Sequence, residues 1–140
     1  LIGGLRRSGV AAARILVVEP QAAQRERLRA EFGVDPLPAA TAALAQAALV
    51  VWAVKPQSFV EATAACAPHV AAAAQLSVMA GVRSDAIVAA TGSARVVRAM
   101  PNTPALIGRG IAGLYARPEV GAAERAAVEA LLAPTGATLW

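Results

Sequence analysis

Three common carriers of chemistry are nearly missing from this chain. Its 140 residues include one cysteine, Cys66, one histidine, His69, and one lysine, Lys55. A lone cysteine excludes an internal disulfide and a cysteine metal cluster. Flanked by alanines on an expected helix, Cys66 reads as a small core residue rather than a nucleophile. His69 has no second histidine and no acidic cluster nearby, so neither a metal site nor a Ser-His-Asp triad can be built around it. Aromatics are scarce too, at 4% against a hydrophobic fraction of 57% inflated by alanine. That balance suits small-residue helices packed closely on a sheet.

No apolar run reaches the roughly 20 residues of a membrane-spanning helix. The richest stretch, Ala64 to Val78, is interrupted by Pro68, His69 and Gln75. The net charge of +4 and pI of about 10.6 invite a nucleic-acid reading. The arginines are scattered, however, and alternate with acids, as in "RERLRAEF" (Arg25 to Phe32), and no basic run is interleaved with aromatics. Neither nucleic acid nor membrane is expected as a partner. The absence of disulfides fits a reducing compartment, the cytoplasm. The opening "LIGGLRRSG" has too short an apolar part for a secretory signal or transit peptide. Leu1 falls inside a helical pattern and Trp140 inside a strand pattern, so both ends read as cuts.

What is present is an alternation. Leu1 to Arg7 reads as a helix end stopped by Gly9, and "RILVVE" (Arg14 to Glu19) as a buried parallel strand. Gln21 to Phe32 reads as an amphipathic helix burying Ala22, Leu28 and Phe32, and Ala42 to Ala47 as a helical turn or two. Strand "ALVVWAV" (Ala48 to Val54) and a helix from Gln57 to Cys66 follow. Next come strand Gln75 to Ala80, helix Ser84 to Ala90, strand Arg95 to Met100 and strand Ile111 to Ala116. A last helix, Ala122 to Ala133, precedes a strand from Ala137 to Trp140. Strands and helices at this spacing predict βαβ units and a mostly parallel sheet in one domain.

Gly108, Gly110 and Gly113 have the spacing G-x-G-x-x-G. A dinucleotide fingerprint follows a strand directly and opens a helix, offering the helix N-terminus to a pyrophosphate. Here the glycines trail Met100 by eight positions or more and run into "IAGLYARP", which is β-branched and aromatic. The spacing is a decoy.

Three other stretches point together: "AVKPQ" (Ala53 to Gln57), "SVMAGV" (Ser77 to Val82) and "VVRAMPNTPALIGRGIAGLYA" (Val96 to Ala116). Each ends a strand, and ligands of open parallel sheets bind beyond the strands' carboxyl ends. Lys55 is the one lysine among thirteen basic residues, a compact ammonium where an ordinary surface charge of this chain is arginine. In "MPNTP" two prolines fix their own φ and hold their predecessors extended, so Asn102 and Thr103 are aimed rather than floppy. In order and spacing these stretches resemble the N-terminal domain of the pyrroline-5-carboxylate reductase family. "LIGGL" (Leu1 to Leu5) is similar to the helix after that family's glycine loop, so the resemblance covers essentially the whole chain.

The resemblance implies a Rossmann-like, doubly wound α/β fold with a mostly parallel sheet lacking its first strand. Residues 1–140 would be a partial NAD(P)-binding domain without the family's C-terminal helical domain. It implies reduction of 1-pyrroline-5-carboxylate to L-proline, in proline biosynthesis, by hydride from NADPH or NADH. Carried over residue by residue, the cofactor contacts are Ala53, Val54, Lys55, Pro56, Ala80 and Asn102, with Glu19 toward the adenosine ribose. Met100, Pro101 and Thr103 would wall the substrate pocket. No catalytic residue and no metal ligand is implied within these residues. Ala48 stands where the family often has aspartate. The intact protein would be a homo-oligomer through the missing domain, and the 140 residues alone would be inactive. A related imine or β-hydroxyacid dehydrogenase and a non-catalytic Rossmann-like binding module are the alternative readings.

Overall fold

A computed structural model describes residues 1–140. Five strands form one sheet in the order of the chain: β1 (Leu49–Trp52), β2 (Ala74–Ser77), β3 (Val96–Met100), β4 (Gly110–Ala116) and β5 (Gly136–Leu139). Five α-helices accompany them: α1 (Ile2–Arg7), α2 (Ala22–Phe32), α3 (Phe59–Val70), α4 (Ser84–Thr91) and α5 (Ala122–Leu132). β1, β2 and β3 are mutually parallel, β4 runs antiparallel to β3, and β5 is parallel to β4. The mostly parallel α/β architecture expected from the sequence is therefore present.

Alternation along the strands sorts side chains into two cores. Leu76, Val97, Ala99, Ala112 and Leu114 meet Val128 and Leu132 of α5 on one face. Trp52 and Val96 meet Phe59, Val70 and Ile87 from α3 and α4 on the other. Two arginines tie the layers: Arg95 pairs with Glu124 of α5, and Arg117 donates to Asp85 Oδ1 of α4 at 2.7 Å. The Arg117 guanidinium holds the Asp85 carboxyl below the usual carboxylate range.

Several boundaries differ from expectation, each for a local reason. Arg14–Glu19 is not a sheet strand. It begins as a 3-10 turn (Ala12–Arg14) and makes a single parallel bridge, Val18 to Leu37. A β-branched run becomes a strand only beside a hydrogen-bonding neighbour, and only Leu37 is beside it. Between this bridge and β1 lies an apolar groove of about 420 Å³, lined by Val18, Leu44, Val50, Val54, Ala62 and Cys66 among others. β1 pairs on one side only, with β2, so it forms an edge of the sheet.

α2 buries Leu28, as expected, but leaves Ala22 exposed and Phe32 half-buried against Gly3 of α1. The helix expected at Gln57–Cys66 starts with a 3-10 turn (Pro56–Ser58) and continues to Val70. Pro68 does not stop it, because its missing N–H costs only one bond in the last turn. Cys66 is half-buried on this helix, and burial pushes its thiol up, as a core residue requires.

Candidate functional site

Parallel pairing decides which loops meet. Trp52 is level with Ser77, and Ser77 with Arg98, so β1, β2 and β3 end together at their carboxyl edges. Ala53–Pro56, Met79–Gly81 and Met100–Thr103 therefore form one continuous rim. The sequence placed its three stretches at strand ends, and the register makes those ends adjacent.

Each loop has its own local logic. After Trp52 the chain turns through Lys55, extended at φ −63°, and Pro56 opens a short 3-10 turn. Lys55 is exposed; its carbonyl accepts from the Ser58 N–H at 2.9 Å, but its ammonium is in none of the chain's ion pairs and is free for a ligand. At the next strand end, Met79 is buried while Ala80 is exposed. The Ser77 hydroxyl accepts from the Met79 N–H at 3.2 Å, fixing that exit. Gly81 has φ +75°, and no atom lies within 4 Å of where its Cβ would be. A positive φ combined with open space leaves backbone that a flat ring can approach closely.

In the third loop Asn102 Oδ1 accepts from the Ile111 N–H at 2.9 Å, fastening the loop to the start of β4. Its Nδ2 remains free as a donor. Thr103–Ile107 then forms a 3-10 turn opened by Pro104. Met100, Pro101 and Thr103 are all exposed on this lip. The decoy glycines are structural: Gly110 and Gly113 lie within strand β4, which opens no helix.

Glu19 stands apart from the rim, at the Val18–Leu37 bridge on the far side of the groove. Its Oε1 accepts from Gln21 N–H at 3.0 Å, turning the carboxylate onto the start of α2. Arg25 reaches back to donate to the carbonyls of Glu19 (3.0 Å) and Pro20 (2.7 Å). One carboxylate and one guanidinium thus share this corner.

Sequence reading passed over Arg98. It lies on β3 two residues before Met100, on the same face, and its Nε is buried without a hydrogen-bond partner. The signal was a charge inside the apolar run "VVRAM". A buried unpaired guanidinium nitrogen requires a physical explanation.

As a set, the rim suits the nicotinamide end of a dinucleotide: an unpaired ammonium, a free amide donor and an open glycine backbone along three adjacent strand ends. For the pyrophosphate these residues offer no matching cradle. Their one G-x-G-x-x-G spacing is strand, and α1 has six residues.

A mostly parallel α/β sheet with three such loops gathered at the carboxyl ends of adjacent strands defines a Rossmann-like domain. The chain belongs to the family described as NADP oxidoreductase, coenzyme F420-dependent, which matches residues 1–81. Over its whole length it is similar to pyrroline-5-carboxylate reductases. It is 42% identical to that of Pseudomonas aeruginosa and 33% identical to that of Haemophilus influenzae, covering 52% of each. The reductase of Coxiella burnetii superposes with a TM-score of 0.91 at 27% identity, over 99% of this chain and 53% of that one. A prephenate dehydrogenase from Aquifex aeolicus shares the fold at a TM-score of 0.75 and 12% identity. The chain thus spans about half the length of the curated relatives it matches, and the resemblance read from its motifs holds along all of it.

Proposed function

We propose that this chain is the cofactor half of a pyrroline-5-carboxylate reductase, forming the nicotinamide wall at which the cyclic imine is reduced to L-proline in the cytoplasm. The observation that carries this reading is the meeting of Ala53–Pro56, Ala80–Gly81 and Met100–Thr103 on one rim, in a chain similar throughout to enzymes of that name. A bound nicotinamide dinucleotide, NADPH or NADH, supplies hydride chemistry. The neighbour from Plasmodium falciparum was solved with NADP bound. This chain's residues orient it: Lys55 and the Asn102 amide hold the ribose end, and the open backbone at Gly81 admits the ring. Met100, Pro101 and Thr103 limit the space on the substrate side, and Glu19 and Arg25 face the adenosine ribose. A protonated imine is already electrophilic, so positioning does most of the work and no strong acid is needed from these residues. The intact protein is proposed to be a homo-oligomer.

The test is consumption of NADPH or NADH with 1-pyrroline-5-carboxylate, with proline measured as product. A protein of the relatives' length containing these residues should turn over, whereas residues 1–140 alone should not. No imine-dependent turnover by the longer protein would remove the reading. Turnover by the 140 residues alone would overturn the division into halves.

Lys55 gives a sharper expectation. Because it is exposed and unpaired, Lys55→Ala should change folding stability by less than about 0.5 kcal/mol. In the longer protein it should raise the KM for the dinucleotide roughly three- to tenfold, the scale of one exposed charge-assisted contact, with kcat little changed. Lys55→Arg should recover only part of the loss, because a planar fork replaces a point charge. An unchanged KM would take Lys55 out of the site.

A further inference from the structure

The lip of the rim sets an oxidisable atom beside a cation that has no anion. Met100 ends β3 and is 50% exposed, whereas the chain's other methionine, Met79, is 3% exposed. Register places Met100 level with Gly113 of β4, where nothing lies within 4 Å of the position a Cβ would take. The glycine leaves room across the strand pair. Arg98 stands two residues back on the same face of β3, and its Nη2 lies 3.9 Å from Met100 Sδ. Arg98 joins none of the chain's ion pairs. Its Nε is buried, which anchors the guanidinium with Nη2 beside the sulfur. A thioether is a weak acceptor, so this donor is largely unspent. An oxygen on the same sulfur would use it.

We propose that Met100 is a redox-modification site: a peroxide converts its thioether to the sulfoxide, and Arg98 Nη2 holds the new oxygen in the wall of the imine pocket. With hydrogen peroxide, a sulfur lone pair attacks one oxygen, so the S–O bond forms as the O–O bond breaks. The departing hydroxide takes the proton of the transferred OH and leaves as water. Sulfur gives up two electrons, the peroxide is reduced, and no other co-reactant is needed. The product is polar and chiral where the thioether was apolar. An oxygen added on the Arg98 side comes within hydrogen-bond range of Nη2, and one added on the opposite side does not. One epimer is therefore favoured. Held there, it narrows the substrate side and puts a polar group on an apolar lip, so imine binding weakens. The effect on turnover rests on the reductase reading of this rim; selective oxidation does not.

The test uses a protein of the relatives' length containing these residues, treated with hydrogen peroxide and read by peptide mass spectrometry. Met100 should oxidise roughly tenfold faster than Met79. The KM for the imine should rise about five- to tenfold, and the KM for the dinucleotide less. Met100→Leu has no thioether, so peroxide should leave its KM unmoved from whatever value it starts at. Methionine sulfoxide reductases come in two kinds, one for each epimer. One kind should remove most of the Met100 sulfoxide and the other little, whereas in Arg98→Leu the two should remove comparable shares. Met100 oxidising no faster than Met79, or an equal KM rise in Met100→Leu, would overturn the proposal. Equal repair by the two enzymes in the unaltered protein would remove Arg98 from it. Turnover before peroxide tests the reductase reading by itself, and the oxidation and epimer ratios are read whether or not turnover is found.

Discussion

Gly136→Ala should cost about 4 kcal/mol and lower the Tm by roughly 10–15 °C, the largest stability loss expected from a single methyl group in this chain. Gly136 opens β5 with φ +130° and ψ −152°, a region that side chains essentially never occupy. The site is also crowded. β4 and β5 begin level at Gly110 and Gly136, and a Cβ on Gly136 would lie 2.6 Å from the Gly110 nitrogen. Gly110 cannot yield, because its own Cβ position is 2.7 Å from the Ala105 backbone. Strain and collision therefore add. Gly113→Ala is the matched control: it faces open space without a positive φ, and alanine there should be neutral or stabilise by about 0.5 kcal/mol. Equilibrium denaturation of both variants checks the pair. Equal stabilities would mean that the β4–β5 corner is not built as described.

Gln75→Leu should be the next most damaging change, at about 3 kcal/mol. Gln75 is fully buried on β2, an unusual place for an amide, and nearly all of its capacity is used. Its Oε1 accepts from the Trp52 indole at 2.8 Å, and its Nε2 donates to the Val70 and Ala73 carbonyls at 2.8 and 3.0 Å. One side chain thus ties β1 to the C-terminal end of α3. Leucine strands the indole N–H in an apolar core and removes the side-chain donor to the helix end. The carbonyls suffer less, since Val70 also receives the Ala73 N–H and Ala73 the Ser93 hydroxyl. Trp52→Phe added to Gln75→Leu should recover about 1–2 kcal/mol, because donor and acceptor then leave together. A double-mutant cycle by thermal or chemical denaturation reads this directly. Strictly additive losses would show that the indole–amide bond contributes nothing.

Both networks rest on residues that the sequence alone did not mark as linked. Gln75 read as a break in an apolar stretch and as the first residue of a strand, and its partners lie 2, 5 and 23 positions away. Local pattern was enough where local physics decides. The runs around Val50 and Val97 are apolar and β-branched, and both became strands with ends shifted by a few residues. "MPNTP" was legible because two prolines constrain the backbone whatever surrounds it. Pattern failed where structure depends on a neighbour. Arg14–Glu19 has strand composition, but one bridge partner makes no ladder. The antiparallel turn of β4 against β3 left no local mark, since the intervening loop could serve either direction. Arg98 drew no attention because a lone charge in an apolar run becomes informative only once its Nε is found buried and unpaired.

The candidate site follows the same division. Its three loops were visible as motifs, and parallel register makes them neighbours. Asn102 was expected to serve a ligand; its Oδ1 is engaged with Ile111, which leaves Nδ2 for that role. Glu19 was expected beside the adenosine ribose. Its carboxylate is folded toward Gln21, and Arg25 donates to its backbone carbonyl.

The most direct measurement is a structure of the dinucleotide bound to a protein of the relatives' length that contains these residues. The account predicts the nicotinamide ring against the Gly81 backbone, its ribose within hydrogen-bond reach of Lys55 and Asn102 Nδ2, and Met100 to Thr103 bordering the open face. A ring placed elsewhere, at the Gly108–Gly113 segment or along the amino ends of β1 to β3, would contradict it.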